Sequence, residues 1–346
     1  MKIPGDITAK IYTFFFIVVF SVSCGRQGHI FHSPDGNLSV EFRLINGEPS
    51  YTLQKNGKKI LDSSRLGLSL KDSLLKAPYL LEKITSRSFD TIWYPVVGKT
   101  SRVRNHYNEW VVSLTEKASR HHRLEIIFRL YNEGIGIRYR IPEQEGLDTF
   151  TITEDLTTFH FPGKVTWWSA NGEHANLGPL PSDSFPATMP LPFVGKLCDT
   201  AWVAIHEAGI YHYAPFLLTK RNMPHTLGCK MSPSSGKTGV PLSWRVVFTD
   251  DHPGAFLESS LLENLNPPCK IEDPSWIKPG KSMWDWRVWG YKTDDGFTYG
   301  LNTVSHKRFV DFASKHHIRY MLLDADWYGP EFDKNSDPTQ ARKGID

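Results

Sequence analysis

Short runs in which apolar and polar residues alternate dominate the chain from His29 to about Ile271. A period of two is typical of strands that bury one face, and turn signals such as Pro34–Asn37 separate the runs. No amphipathic helical pattern of a dozen residues precedes Tyr299. Many short strands at close spacing predict a large two-sheet β-sandwich. The predicted strands are Leu38–Leu44, Tyr51–Leu53, Leu66–Leu70, Trp110–Leu114, Leu124–Leu130, Ile135–Ile141, Ala201–Ile205 and Trp244–Phe248.

The pattern changes after Asn264–Lys281, a segment rich in Pro and Gly that we interpret as a linker. An aromatic-rich strand is predicted at Ser282–Gly290, an amphipathic helix at Tyr299–His317 and a second apolar strand at Arg319–Tyr328. Strand, helix and strand in this order are the opening of a parallel α/β sheet or barrel. Because two parallel strands can neither close a barrel nor cover both sheet faces, we expect the front part of a larger enzyme.

The carboxyl ends of these two strands carry the candidate binding residues. Asp324, Asp326 and Trp327 lie at the end of the second predicted strand, where barrel enzymes place functional side chains. The two aspartates are two positions apart and could face the same side of a strand, where each carboxylate would raise the pKa of the other. Trp289 is the best candidate for a platform under a sugar ring. The alternative for Asp324, Asp326 and Trp327 is an ordinary loop, and for the tryptophans of the first predicted strand it is core packing.

A histidine and a glutamate directly follow the predicted strand Ala201–Ile205. Charged side chains at the end of a sheet form buried pairs or interface contacts more often than they take part in catalysis. We therefore predict that His206 and Glu207 have a structural role at a sheet end or a domain interface.

The N-terminus has the features of an export signal. Lys2 and Lys10 precede the apolar stretch Ile11–Phe20, which is short for a membrane span and typical of a signal-peptide core. Ser23 and then Cys24 follow, and a small residue before a cysteine at this place resembles the cleavage box of bacterial lipoproteins. Cys24 would then carry the lipid and anchor the protein to a membrane surface. The alternative is an ordinary cleaved signal with an incidental cysteine, and both predict export.

Composition narrows the class of protein. Hydrophobic residues make up 40% of the 346, with 11 Trp, 13 Tyr and 20 Phe, which indicates a substantial core. The Trp content hints at carbohydrate binding, although a large β core accounts for it equally well. A net charge of +3 with scattered basic residues gives no reason to expect a nucleic-acid partner. Cys198, Cys229 and Cys269 form no Cys/His cluster, so we expect no zinc site, and whether two of them form a disulfide stays open.

Motifs along nearly the whole chain resemble glycoside hydrolase family 97, bacterial exo-acting α-glycosidases. In order they are Ser33–Gly36, Asn56–Lys58, Ser64–Leu68, His106–Glu109, Tyr131–Gly134, Arg138–Tyr139, His206–Ala208, Trp276–Lys281, Trp284–Trp286, Asn302–Thr303, Asp311–Ala313 and Leu323–Tyr328. The resemblance implies a β-super-sandwich, then a catalytic (β/α)8 barrel and a small C-terminal β domain. We therefore expect a β-rich chain with a signal peptide at 1–24, a β-super-sandwich at 25–271 and the first strands and helix of an incomplete barrel at 272–346.

The resemblance also implies the chemistry. Family members remove α-linked glucose or galactose from the non-reducing ends of oligosaccharides, with calcium in the active site. Both catalytic carboxylates of the family come from barrel segments that would follow Asp346, so we expect no catalytic residue in this chain and an inactive portion of a calcium-dependent α-glycosidase. Glu173 matches the position at which the sandwich of the family supplies a calcium ligand. Its alternative role is that of an exposed loop carboxylate.

Two other functions stay open. A non-catalytic carbohydrate-binding protein would keep the sandwich, and a mutarotase-like epimerase would need its acid and base within the sandwich itself. The N-terminal signal, taken with the resemblance to a bacterial family, predicts an exported protein, a periplasmic or outer-membrane lipoprotein of a Gram-negative bacterium. Glucose or galactose preference, linkage and stereochemical outcome do not follow from these residues.

The lipoprotein assignment predicts that Cys24→Ala releases the protein from membranes in its native host, because the lipid-bearing residue is lost. Fractionation of cells into membrane and soluble parts checks this, and the same substitution at Cys198 is the matched control. Membrane association unchanged in Cys24→Ala would contradict the assignment.

Overall fold

The computed structural model describes residues 28–71, 75–118, 121–211, 213–337 and 339. The chain divides into two compact units, the first formed by Met1–Pro95 with Arg102–Cys269 and the second by Val96–Ser101 with Lys270–Asp346. The predicted signal peptide and Cys24 lie outside the described residues. Among the helices that the structure does describe, none has the length and apolar character needed to cross a bilayer.

The first unit is built almost entirely of β-strands. Its first strands are β1 (His29–His32), β2 (Leu38–Ile45), β3 (Glu48–Lys55), β4 (Lys58–Arg65), β5 (Leu68–Leu70), β6 (Tyr79–Trp93), β7 (Val103–Glu116), β8 (Arg123–Tyr131), β9 (Gly134–Arg140) and β10 (Thr149–Asp155). They are followed by β11 (Thr158–His160), β12 (Thr166–Ser169), β13 (Leu177–Pro181), β14 (Thr188–Met189), β15 (Phe193–Cys198), β16 (Ala201–Ala208), β17 (Phe216–Lys220), β18 (Thr226–Met231), β19 (Ser234–Lys237) and β20 (Trp244–Asp250). Two short helices close the unit, α1 (Gly254–Glu258) and α2 (Leu261–Leu265).

The described strands of this unit form four sheets around one core. The largest has nine strands in the order β13-β12-β15-β16-β20-β9-β8-β7-β6, and the others are β1-β2-β3-β4, β19-β10-β5 and β11-β18-β17-β14. Residues from all four sheets meet in a single buried cluster, for example Phe42, Phe128, Ile152 and Leu218. The predicted β-rich super-sandwich is confirmed, and each of the eight predicted strands overlaps an observed strand.

The nine-stranded sheet is covered on its second face as well. Trp244 and Val246 of β20 pack there against Leu261 and Leu265 of α2, whereas Val247 belongs to the main core. Gly136 allows this close approach, because an added Cβ would lie 2.9 Å from both the Leu265 and the Trp244 side chains. The sheet is therefore buried on two sides where α2 crosses it.

Strands β6 and β7 form a long hairpin that continues past the end of β8. The pairing of β7 with β8 stops at Asn108, whereas its pairing with β6 continues to Trp93 opposite Val103. Asn264 of α2 accepts a hydrogen bond from Trp93 Nε1 at 2.8 Å and donates one to the Arg104 carbonyl at 3.0 Å. The free end of this ribbon is thus attached to α2. The sequence pattern did not predict β6, whose side chains are mostly exposed on both faces.

A fully buried ion pair joins two of the sheets. Arg245 of β20 donates to Asp155 at the end of β10 through Nε, at 2.7 Å, and through Nη2, and both side chains are completely buried. Asp155 also accepts from the Thr157 amide at 2.9 Å and hydroxyl at 2.6 Å, and Arg245 donates to Tyr213 at 2.7 Å. Burial would lower the pKa of Arg245, but the adjacent Asp155 raises it well above its usual range.

The second unit contains one parallel strand pair and its crossover helix. Strands β21 (Ser282–Trp284) and β22 (Tyr320–Leu322) pair in parallel, and helix α3 (Thr303–Lys315) connects them in the sequence. This arrangement is the one expected for the start of a barrel. Both strands are shorter than predicted. The prediction of a strand from Ser282 to Gly290 is wrong beyond Trp284, because the chain turns there into a short 3₁₀ helix at Trp286–Val288.

The three cysteines within the described residues, Cys198, Cys229 and Cys269, are free thiols. Cys198 and Cys269 are exposed, whereas Cys229 is buried in the main core. The possible disulfide left open by their spacing is therefore absent from the part of the chain that the structure describes.

The buried ion pair leads to a stability prediction. We expect Asp155→Asn to lower the free energy of unfolding by about 3–5 kcal/mol, because the Arg245 charge loses its anion inside the core. Urea denaturation of the purified chain measures this loss.

Asp90→Asn is the matched control, since Asp90 binds Arg104 at 2.7 and 2.8 Å with both side chains about half exposed. A surface pair of this kind contributes little. A loss for Asp155→Asn no larger than that for Asp90→Asn would contradict the role assigned to the buried pair.

Candidate functional site

The carboxyl ends of β21 and β22 lie side by side because the strands are parallel, with Trp284 opposite Leu322. Asp285 follows β21 directly, and Asp324 comes two residues after β22. The geometry therefore brings two carboxylates to one edge of the strand pair. Active sites of α/β barrels lie at this edge.

Asp285 is the most deeply buried charged group of this edge, with no exposed surface. One carboxylate oxygen lies 3.0 Å from His306 Nε2 on α3, and the other accepts the Asp324 backbone N–H at 3.2 Å. Neither Asp285 nor His306 was predicted from the sequence as a site residue. The available signal was the Trp284–Trp286 motif, in which an aspartate interrupts an aromatic run.

Asp324 is half-buried and is held through both its main chain and its side chain. Trp284 Nε1 donates to its carboxylate, and its carbonyl accepts from Trp327 Nε1 at 2.9 Å. The indole N–H binds one oxygen of the carboxylate, and a carboxylate has further lone pairs that can accept hydrogen bonds. Chemically, this arrangement can accept hydrogen bonds from the hydroxyls of a ligand.

Asp326 and Trp327 leave the edge in a tight turn. Asp326 has a left-handed backbone conformation with φ of 64°, is exposed, and accepts from the Glu331 amide at 2.7 Å. Trp327 packs edge-on against Tyr328, with ring centres 5.4 Å apart. Asp324 and Asp326 lie beyond β22 and bind different groups, so the idea that they share one face of a strand is wrong. Ligand binding by Asp324, Asp326 and Trp327 stays a prediction.

Trp289 lies after the 3₁₀ turn and not on the strand. It is half-buried and packs edge-on against Trp286, with ring centres 5.1 Å apart. Its indole N–H is buried and has no hydrogen-bond partner among the residues that the structure describes. Because β21 ends at Trp284, Trp286 does not lie on the same strand as Trp284. A role for Trp289 in sugar binding stays a prediction.

Glu173 belongs to the first unit and lies in the turn between β12 and β13. Its side chain is exposed, and the turn is held by hydrogen bonds from Asn171 to the Ala175 carbonyl at 3.2 Å and from the His174 amide to the Asn171 carbonyl at 3.1 Å. Calcium takes six to eight oxygen ligands. Glu173 therefore offers one carboxylate toward a calcium site and does not form such a site by itself.

Three potential metal ligands do cluster elsewhere in the first unit, at Asp250, Asp251 and His252. Asp250, however, already forms an ion pair with Lys55 at 3.0 Å. Exposed acidic groups of this kind are common on protein surfaces. This cluster is therefore explained by the lysine and gives no support to a metal site.

His206 and Glu207 are half-buried and lie within β16, which continues to Ala208, instead of following the strand as predicted. Burial lowers the pKa of His206 and raises the pKa of Glu207, so it favours the neutral form of each. Glu207 accepts from the Phe216 amide at 3.4 Å, and His206 Nδ1 accepts from the Glu207 amide at 2.8 Å. These contacts agree with a structural role but not with a charge pair between the two residues.

Comparison with known proteins places these features in context. A family model described as Glycosyl-hydrolase 97 N-terminal matches residues 31–268. A retaining alpha-galactosidase of Bacteroides thetaiotaomicron is 28% identical over 341 residues, which cover 85% of this chain and 49% of the relative. A probable retaining alpha-galactosidase of Streptomyces bingchenggensis is 24% identical over 318 residues, 85% of this chain and 45% of the relative. The chain thus spans about half the length of these curated relatives.

A solved structure shows the same fold. It is a glycoside hydrolase family 97 enzyme (E480Q) from Pseudoalteromonas sp. strain K8 in complex with panose, with a TM-score of 0.76 and 24% sequence identity. The match covers 88% of this chain and 51% of that one. At this level of identity the likeness supports the fold alone.

The half-buried imidazole of His206 in β16 leads to a pH prediction. Because burial lowers the pKa of His206 below its ordinary 6.5, the unfolded chain takes up a proton at higher pH than the folded one, and stability is lost as the pH falls below 6.5. We expect His206→Gln to gain stability relative to the wild type as the pH falls from about 7 to about 5.

Urea denaturation at several pH values measures this difference. His29→Gln, at an exposed position in β1, controls for the general loss of an imidazole. Parallel pH profiles of His206→Gln and the wild type would contradict the prediction.

Proposed function

The chain belongs to glycoside hydrolase family 97, and on that premise we propose that it forms the N-terminal part of an exo-acting α-glycosidase. Its substrates would be oligosaccharides or α-glycosides with galactose or glucose at the non-reducing end. Two observations support this choice: the curated relatives are named retaining alpha-galactosidase and probable retaining alpha-galactosidase, and the solved relative is a complex with panose.

The observation that carries the proposal is the carboxylate of Asp324 at the carboxyl end of the parallel strand pair. Trp284 binds one of its oxygens, and Trp327 lies beside it as a half-buried aromatic surface. Sugar recognition needs both features, since a carboxylate accepts from hydroxyls and an indole face packs on the apolar side of a sugar ring. We assign Asp324 and Trp327 to substrate binding.

Catalysis is assigned to no described residue. Glycoside hydrolysis needs two carboxyl groups that flank the scissile bond. Asp285 is buried and bound to His306 and the Asp324 amide, and Asp326 is turned toward Glu331. The described carboxylates of this edge therefore do not form a facing pair, and the chain by itself should bind sugars without hydrolysing them.

The proposal includes a calcium ion and export from the cytoplasm. Glu173 would supply one carboxylate to a calcium ion, and its other ligands would come from outside the described residues. Cys24 would carry the lipid that holds the protein at a membrane surface.

The proposal predicts weak binding of methyl α-galactoside or methyl α-glucoside to the purified chain, measured by ligand-observed NMR. Asp324→Asn keeps the size of the side chain but removes its charge, so we expect roughly tenfold weaker binding. Asp311→Asn, an exposed position on α3, is the matched control and should bind like the wild type.

An assay with aryl α-galactosides and α-glucosides accompanies this titration. The chain should show no turnover, because a positioned pair of carboxylates is missing from the described edge. Hydrolysis that survives purification, or equal affinity in Asp324→Asn and Asp311→Asn, would overturn the assignment.

A further inference from the structure

We propose that the buried pair of Asp285 and His306 positions Asp324 for ligand binding. The inference rests on the proposed function and names the residues that set the geometry of its binding carboxylate. Neither residue needs to touch a ligand, because Asp285 is completely buried and His306 is only 7% exposed. Both act through Asp324.

The end of β21 holds Asp324 at two points. Trp284 donates through its indole to the Asp324 carboxylate, and the next residue, Asp285, accepts the Asp324 backbone N–H at 3.2 Å. Trp284 and Asp285, which are consecutive at the end of β21, thus fix both the side chain and the main chain of Asp324, which follows β22. A loop residue held at one point only would be free to rotate about that contact.

Helix α3 fixes the Asp285 carboxylate in turn. The helix begins at a defined place because the Asn302 side chain accepts from the Ser305 amide at 2.9 Å, as an N-terminal cap. His306, Phe309 and Ala313 then form its buried stripe, at the spacing of one helix face. The cap therefore determines where His306 Nε2 meets Asp285.

Hydrogen bonding defines the proton position of this pair. Since Asp285 is an acceptor, His306 donates to it through Nε2. His306 Nδ1 is buried and has no hydrogen-bond partner among the described residues, so a proton there would be an unsatisfied buried donor, which costs more than a bare acceptor. The hydrogen bond to Asp285 therefore identifies Nε2 as the donor atom of His306.

The test compares His306→Gln with His306→Leu. Gln can place an amide N–H near the position of Nε2 and keep the bond to Asp285, whereas Leu fills similar space without a donor. We expect His306→Gln to bind methyl α-galactoside within about threefold of the wild type and His306→Leu to bind at least about tenfold more weakly. Similar melting temperatures for both variants would show that the difference does not come from unfolding.

Hydrogen exchange at the Asp324 amide provides a readout that needs no sugar. The amide should exchange slowly in the wild type and in His306→Gln, and faster in His306→Leu and in Asp285→Ala, where its acceptor is displaced or lost. Equal exchange in all four proteins would overturn the inference. If the wild type binds no glycoside but the exchange rates differ as expected, the proposed function fails while the positioning of Asp324 stands.

Discussion

A buried ion pair between two sheets is the constraint on which the first unit depends. Asp155 ends a strand of the three-stranded sheet, and Arg245 lies within the nine-stranded one. Neither charge can stay in an apolar core without the other. A slip of β20 by one residue would move Arg245 to the opposite face and leave Asp155 alone. We infer that the pair mainly selects one register and one placement of the two sheets, while apolar burial supplies most of the stability.

The sandwich could be predicted from the sequence because strands with one buried face keep a period of two, as β2 does with Leu38, Val40 and Phe42 inward. Strand β6 could not be predicted in this way, because its side chains are exposed on both faces and the apolar period of two is lost. The buried ion pair could not be predicted from the sequence either, because Asp155 and Arg245 are 90 residues apart. The one local hint was an arginine inside the apolar run Trp244–Phe248.

The candidate site was predicted in part for a related reason. Parallel strands bring their carboxyl ends together, so Asp324 could be placed near an active edge from the order of elements alone. The residues that hold Asp324 could not be predicted, because the aromatic run after Ser282 has the pattern of one continuous strand. The strand in fact ends where Asp285 turns inward to meet a helix residue, and such an encounter depends on tertiary packing that no local pattern encodes.

The ribbon formed by the ends of β6 and β7 has a consequence for the motions of the first unit. A two-stranded ribbon alone is marginally stable in water, and this one is fastened beyond β8 by the hydrogen bonds of Asn264. Opening of α2 would release both bonds together, so the ribbon end and the helix should fluctuate as one cooperative unit. The side-chain amide of Asn264 thus couples the local opening of α2 to that of the β6–β7 hairpin, which is distant in the sequence.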